Sequence, residues 1–277
     1  MILVKYVSKS GILSRRKSEE AIRKGLIRVN NIVIIDPTYE VEEKKDSVHY
    51  RNKKISFFEP IYILINKPNG YLTSKEDPSL KPVITELFPK HLRTMIDPVG
   101  RLDFNSSGAL IFTSDGDFAY SLSHPKFQIK KVYQVIANRA LDQQIIDSLI
   151  AGIRLEDGMV RPDCVKWDPQ IPNHFSIELH SGKYRVIRRL LGVFGIFVQT
   201  LHRSSFAGLT VKGMEAREWR YLRPSEVLAL KNLTRKTPIK KTKNLLEKTK
   251  ESILKNKAEN KTRIINKNRL NKAENKK

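Results

Sequence analysis

The sequence holds a single cysteine, Cys164, so no disulfide can form within the chain. That suits a reducing compartment. Cys164 lies in CVKW, which reads as strand, and is expected to be a small buried side chain rather than a reactive thiol. No apolar run approaches membrane-spanning length, and the opening MILVKYVSKSG offers no apolar signal core followed by a cleavage site. A cytoplasmic chain with no membrane partner is therefore expected. The six histidines are scattered, none beside another His or a Cys at ligand spacing, so no metal site is expected. No Gly-rich phosphate loop occurs, which argues against nucleotide-hydrolysing and dinucleotide-binding classes. Acidic residues are scarce too, 29 Asp and Glu against 52 Lys and Arg, for a net charge of +23. A surplus that large predicts a polyanionic partner, nucleic acid first and anionic membrane second.

The surplus is uneven. Residues 231–277 carry 17 basic and 4 acidic side chains, more than half of the excess. This Lys- and Asn-rich tail has no sustained helical face and no heptads, and is expected to be disordered. A solubilising tail and a weak RNA-contacting arm are equal readings of it. Residues 1–230 are basic in their own right, and at 40% hydrophobic the chain can bury a core.

Residues 1–47 read as a small basic unit. Leu3, Tyr6 and Val7 suggest a short amphipathic helix ending at Gly11. Ser14 can cap a second helix through RRKSEEAIRK, stopped by Gly25. Ile27 and Val29 alternate with polar residues, Asn30-Asn31 reads as a turn, and Ile32 to Ile35 as the return strand. Arg15, Arg16, Lys17, Arg23, Lys24 and Arg28 run from the helix into the strand, a placement that suits phosphate binding, although Glu19 and Glu20 also fit a plain solvated helix face. The stretch SGILSRRKSEEAIRKGLIRVNNIVI resembles the S4-type RNA-binding domain, which sets its second helix and the following turn against structured RNA.

Residues 48–59 read as a linker of mixed charge, and residues 60–230 as a larger α+β body. Its candidate strands are IYILI (61–65), GALIFTS (108–114), VYQVIA (132–137), CVKWD (164–168) and FSIEL (175–179). Its candidate helices are VITELF (83–88), DFAYSLS (117–123, with Asp115 as a cap), DQQIIDSLIAG (142–152) and YRVIRRLLGVF (184–194). Strands and helices do not alternate regularly, so a mixed, mainly antiparallel sheet is expected.

The stretch GRLDFNSSGALIFTSDGD places Asp103 in a polar loop just before a buried strand. Such an Asp is ordinarily a turn residue. Other motifs follow in order. NKPNG occupies 66–70 with Lys67 at a strand end, HP 124–125, and KKVYQV puts Tyr133 inside a strand. SGKYRVIRRLLG then sets Arg185, Arg188 and Arg189 at helical spacing, with Ile187, Leu190 and Leu191 on an apolar side. His124 and His202 are expected to be structural or RNA-contacting.

Taken together and in this order, these motifs resemble the RsuA-like family of rRNA pseudouridine synthases, over nearly everything to about residue 225. The resemblance implies a synthase body behind the S4-type domain, no cofactor, and ribosomal RNA or a subunit assembly intermediate as partner, bound by a monomer. It implies Asp103 as the catalytic nucleophile, Tyr133 as the residue that stacks on the target base and assists proton removal, and Arg188 as the cation paired with the carboxylate. Arg is suited to that pairing because it stays protonated and grips a carboxylate with two donors. Arg101, Arg185, Arg189 and Lys67 join the RNA-binding candidates. DFNSSG is closer to members acting on the large subunit. Val186 departs from the family's Arg-Gln-Val-Arg-Arg, removing an amide and its hydrogen bonds. Two alternatives stay open: a non-catalytic RNA-binding or ribosome-assembly protein of the same fold, and a synthase with another target such as tRNA.

Overall fold

The structure, a computed structural model, describes residues 1–57, 59–167, 170–171 and 173–235. The N-terminal unit consists of α1 (Leu3–Lys9), α2 (Arg15–Arg23), β1 (Ile27–Val29), β2 (Ile32–Val33), β3 (Val48–Tyr50) and β4 (Lys53–Lys54). Ser14 caps α2 by accepting from the Lys17 amide. Asn30 and Asn31 both take left-handed φ, 50° and 68°, the geometry of a two-residue hairpin turn that Asn tolerates well. The expected linker starts inside this unit. Strand β3 pairs antiparallel with β1, and Ile55 is buried in the N-terminal core with Leu3, Val7, Ile22 and Ile27. Two strands alone leave one edge of β1 unpaired, and residues 48–54 close it.

The body follows with β5 (Tyr62–Lys67), α3 (Lys90–Arg93), β6 (Asp97–Pro98), β7 (Ser107–Thr113), α4 (Gly116–Ser123), β8 (Lys131–Ala137) and α5 (Gln143–Ala151). Then come β9 (Ile153–Leu155), β10 (Gly158–Val160), β11 (Cys164–Trp167), β12 (His174–Leu179), α6 (Val186–Gly192), β13 (Val198–Phe206), β14 (Leu209–Thr210), β15 (Trp219–Tyr221) and α7 (Pro224–Arg235). The main sheet runs β11-β12-β8-β13-β7-β5-β15, with β14 on β13 and β6 on β7. Every pairing in it is antiparallel except β13 with β7, which is parallel. Two antiparallel halves therefore meet at one parallel seam.

Period-2 alternation sends side chains of β5 and β7 into two cores. Ile63, Ile65, Leu110 and Phe112 enter one, covered by Leu92, Ile146, Leu149, Ile187, Leu190 and Leu191 from α3, α5 and α6. Leu64, Ala109 and Ile111 enter the other, with Phe118 and Leu122 from α4 and Leu230 from α7. Both strands are thus buried on two faces, which is why IYILI and GALIF read as continuous apolar runs.

Several boundaries differ from the sequence reading. The segment 83–88 is a 3₁₀ turn over Ile84–Leu87. Helix α6 begins only at Val186, after Arg185 in a left-handed conformation. Asp168, assigned to a strand, lies outside the described residues. The expected disordered tail begins inside α7, which continues to Arg235, and residues 236–277 lie outside the described residues.

Candidate active site

The seam is closed by a residue without a side chain. Gly108 of β7 faces Arg203 of β13, and a Cβ placed on Gly108 would come within 2.2 Å of the Arg203 carbonyl oxygen. Gly108 also holds φ at 108°, a value that L side chains rarely adopt. One row of partners then crosses the sheet. Lys67 on β5 pairs with Gly108, Gly108 with Arg203, and Arg203 with Tyr133 on β8. Partners in a row share a face, so Lys67, Arg203 and Tyr133 point the same way.

The loop carrying Asp103 lies against that face through Lys67. Lys67 is fully buried and donates to the carbonyls of Asp103 (3.1 Å), Ser106 (2.6 Å) and Pro68 (3.1 Å). The Gly70 amide donates to Phe104 O at 2.9 Å. Thr73 Oγ1 donates to Leu102 O at 2.7 Å and accepts from Leu102 N at 3.2 Å. The NKPNG motif and the residues after it therefore hold the GRLD loop from below. Burial pushes Lys67 down to about 8; Asp103 opposes that shift and Arg203 adds to it.

A cleft of about 130 Å³ opens at this place, lined among others by Arg101, Asp103, Lys131, Tyr133, Arg185 and Arg203. Asp103 is half-buried, Tyr133 is nearly covered, and Arg101 and Arg185 are exposed at the opening. Arg203 is buried. Its Nε donates to Ala109 O at 2.7 Å, its guanidinium lies over the Phe206 ring, and its Nη2 has no hydrogen-bond partner among the described residues. Buried donors are rarely left unmatched, so this one suits a carboxylate or a substrate oxygen in the cleft. Lys131 donates to Ile129 O and His180 O, and burial, reinforced by Arg203, brings it to about 8. Its two carbonyl bonds fix the position of the ammonium beside the cleft.

The sequence-derived candidates separate on this geometry. Asp103 and Tyr133 come together as expected. Arg188 does not line the cleft: it donates to Val198 O (2.7 Å) and Asn105 O (2.8 Å), and so braces the loop behind Asp103. Burial lowers Arg188, Arg185 adds to that, and Asp103 acts in the opposite sense. The buried guanidinium that lines the cleft belongs to Arg203 instead. Lys67 holds the loop and is closed to RNA. Arg189 is bound twice to Asp157, at 2.8 and 2.9 Å, which leaves it a poor phosphate ligand. Val186 is buried at the cleft wall as part of the main apolar core.

On the N-terminal unit, Arg15, Arg16, Lys17 and Arg28 are exposed and form no ion pair among the described residues. Arg23 and Lys24 pair with Glu19 and Glu20 one helical turn back, at 3.0 and 2.6 Å. His202 Nδ1 meets Ser107 Oγ at 2.9 Å, a contact that ties β13 to β7, and burial lowers its pKa. No group of three or more His, Cys, Asp or Glu is placed to hold a metal among the described residues. Among the same residues, no helix is long and apolar enough to cross a membrane.

Residues 61–192 match the family model described as RNA pseudouridylate synthase, and residues 3–47 match the S4 domain. The chain is 33% identical to ribosomal large subunit pseudouridine synthase B of Bacillus subtilis, over 83% of this chain and 96% of that protein. It is 30% identical to ribosomal small subunit pseudouridine synthase A of Pseudomonas aeruginosa, over 83% of this chain and all of that protein. Among solved structures, a crystal structure of a pseudouridylate synthase shares the fold at a TM-score of 0.61, with 23% identity, over 83% of this chain and 99% of that one.

Proposed function

The chain belongs to the RsuA-like family of RNA pseudouridylate synthases, and from that premise we propose that it isomerises a specific uridine of large-subunit ribosomal RNA with Asp103 as nucleophile. The observation that carries the proposal is the row Lys67–Gly108–Arg203–Tyr133, with the Asp103 loop held by Lys67 and Asp103, Tyr133 and Arg203 lining one cleft. A binding surface alone has no use for a half-buried carboxylate on a loop whose carbonyls a buried lysine holds, beside a buried guanidinium with Nη2 unmatched among the described residues. The DFNSSG continuation and the slightly higher identity to the large-subunit relative support the choice of subunit.

The reaction breaks the bond between ribose C1′ and uracil N1 and joins C1′ to C5. C5 loses a proton to solvent and N1 gains one, so the nucleotide keeps its composition and needs no redox or group-transfer partner. The uridine first leaves its stack, at a cost of a few kcal/mol. Exposed Arg15, Arg16, Lys17 and Arg28 on the S4 domain, with Arg101 and Arg185 at the cleft, offset that cost through phosphate contacts. In the cleft Tyr133 offers the uracil an aromatic face and a hydroxyl. Arg203 supplies the fixed cation for the carboxylate or a uracil oxygen. Arg188 acts as a positioning residue through Asn105.

The test is tritium release from rRNA labelled at uracil C5, with large- and small-subunit RNA assayed separately. Wild type releases tritium from large-subunit RNA. Asp103→Asn and Arg203→Met bind RNA but release none, and Arg188→Met keeps measurable turnover. Normal release by Asp103→Asn removes Asp103 from its role. Release from small-subunit RNA alone corrects the target.

A further inference from the structure

The loop between β12 and α6 carries Tyr184, whose side chain is 70% exposed and packs against no other ring among the described residues. Exposed aromatics occur singly on many surfaces, but two features set this one apart. Its chain neighbours on both sides, Lys183 and Arg185, line the cleft. The loop is also tied down. Arg189 donates to Tyr184 O at 3.2 Å while gripping both carboxylate oxygens of Asp157 in the β9–β10 turn. Lys183 Nζ donates to Asp157 O at 2.6 Å. Arg185 holds φ at 44°, a left-handed conformation that a non-glycine residue adopts at a cost. The ring is thus presented by a segment ordered before any RNA arrives, which lowers the entropy lost on binding.

We propose that Tyr184 is the stacking platform for a nucleobase next to the target uridine, projected at the cleft rim between Lys183 and Arg185 and fixed there by the Arg189–Asp157 pair. The proposal rests on the synthase reading above. When the target uridine swings out, a flanking base loses a stacking neighbour. An aromatic face at the rim replaces it, whatever base is present, because every base has a π face. Arg185, beside the tyrosine, is exposed and forms no ion pair among the described residues, which leaves it placed for a phosphate of the same strand. Tyr133 in the cleft and Tyr184 at the rim then hold successive nucleotides.

The experiment measures kcat/KM for tritium release from C5-labelled rRNA at two salt concentrations. Tyr184→Ala is expected to lose about tenfold, by the same factor at both salts, because stacking does not count ions. Tyr184→Phe stays within twofold of wild type, and Tyr184→Leu falls with the alanine variant. The side chain is exposed, so melting temperatures should match, and they are measured alongside. Wild-type kcat/KM in Tyr184→Ala overturns the platform, as does a Tyr184→Phe variant as damaged as Tyr184→Ala, or a loss that disappears at high salt. Wild type that releases no tritium from any rRNA overturns the synthase reading and the platform with it. An active wild type with an equally active alanine variant overturns the platform alone.

Discussion

Gly108→Ala is a one-carbon change with a consequence that can be worked from the backbone. The new Cβ meets Arg203 O at 2.2 Å and Arg203 C and N at 2.7 Å, all main-chain atoms that no side-chain rotation can move. Strands β7 and β13 must therefore separate at their parallel seam, by roughly the 1 Å that ordinary carbon–oxygen packing lacks here. The positive φ costs roughly 1–2 kcal/mol for an L residue, and overpacking of this kind costs roughly 1–3 kcal/mol. A destabilisation of about 2–5 kcal/mol lowers the melting temperature by roughly 4–20 °C for a domain of this size. The same separation shifts Arg203 away from the Asp103 loop. Tritium release measured well below the melting temperature should then fall much further than the folded fraction does. Thermal unfolding followed by circular dichroism and the release assay on the same preparation test both parts. A variant that melts with wild type refutes the close approach of the strands. One that melts low but turns over normally per folded molecule refutes the link between the seam and the site.

Two further predictions concern charge. Lys67 is held to about 8 against 10.5 for the free side chain, and its cation fixes the Asp103 loop. The single-turnover rate should decline above pH 8, to about a tenth of its plateau at pH 9, where about a tenth of the side chain stays protonated. Stability moves the other way. The folded pKa is the lower one, so between pH 8 and 10.5 the unfolded chain binds more protons and this group's contribution to stability rises with pH. A rate that is flat to pH 9.5 refutes the need for the cation. Lys131 is also held to about 8, so a Lys67→Met variant that keeps the same alkaline limb reassigns that limb to Lys131. On the N-terminal unit, replacing Arg15, Arg16 and Lys17 together by Ala should reduce the slope of log K against log salt by about 2–3. Replacing Arg23 and Lys24 should change it less, because Glu19 and Glu20 already neutralise them. Equal slopes in all three proteins would exclude α2 as the phosphate-binding face.

The motif order makes the family and the two-part organisation legible, and it singles out Asp103 and Tyr133, which line one cleft. It says less about residues whose surroundings depend on register. The family resemblance implies Arg188 as the cation paired with Asp103, whereas the helix turns its guanidinium toward two backbone carbonyls. Arg203 was passed over because LHRSSF holds few β-branched or aromatic residues and does not read as strand. Strand β13 forms there because β8 and β7 pair with it on both sides, an effect of tertiary context that overrides local propensity. Its signal was present but faint: Leu201 and Arg203 are both buried at a spacing of two, a charged residue on an inward face. Lys67 shows the converse error. At the end of an apolar strand a lysine suggests a head reaching for solvent or phosphate, whereas here three loop carbonyls replace the water. What a one-dimensional pattern cannot carry is the row Lys67–Gly108–Arg203–Tyr133, drawn from four strands separated by up to 136 positions. Gly108 is what makes that row possible. It lets β7 approach β13 closely, so its lack of a side chain sets the seam from which Arg203 reaches the cleft.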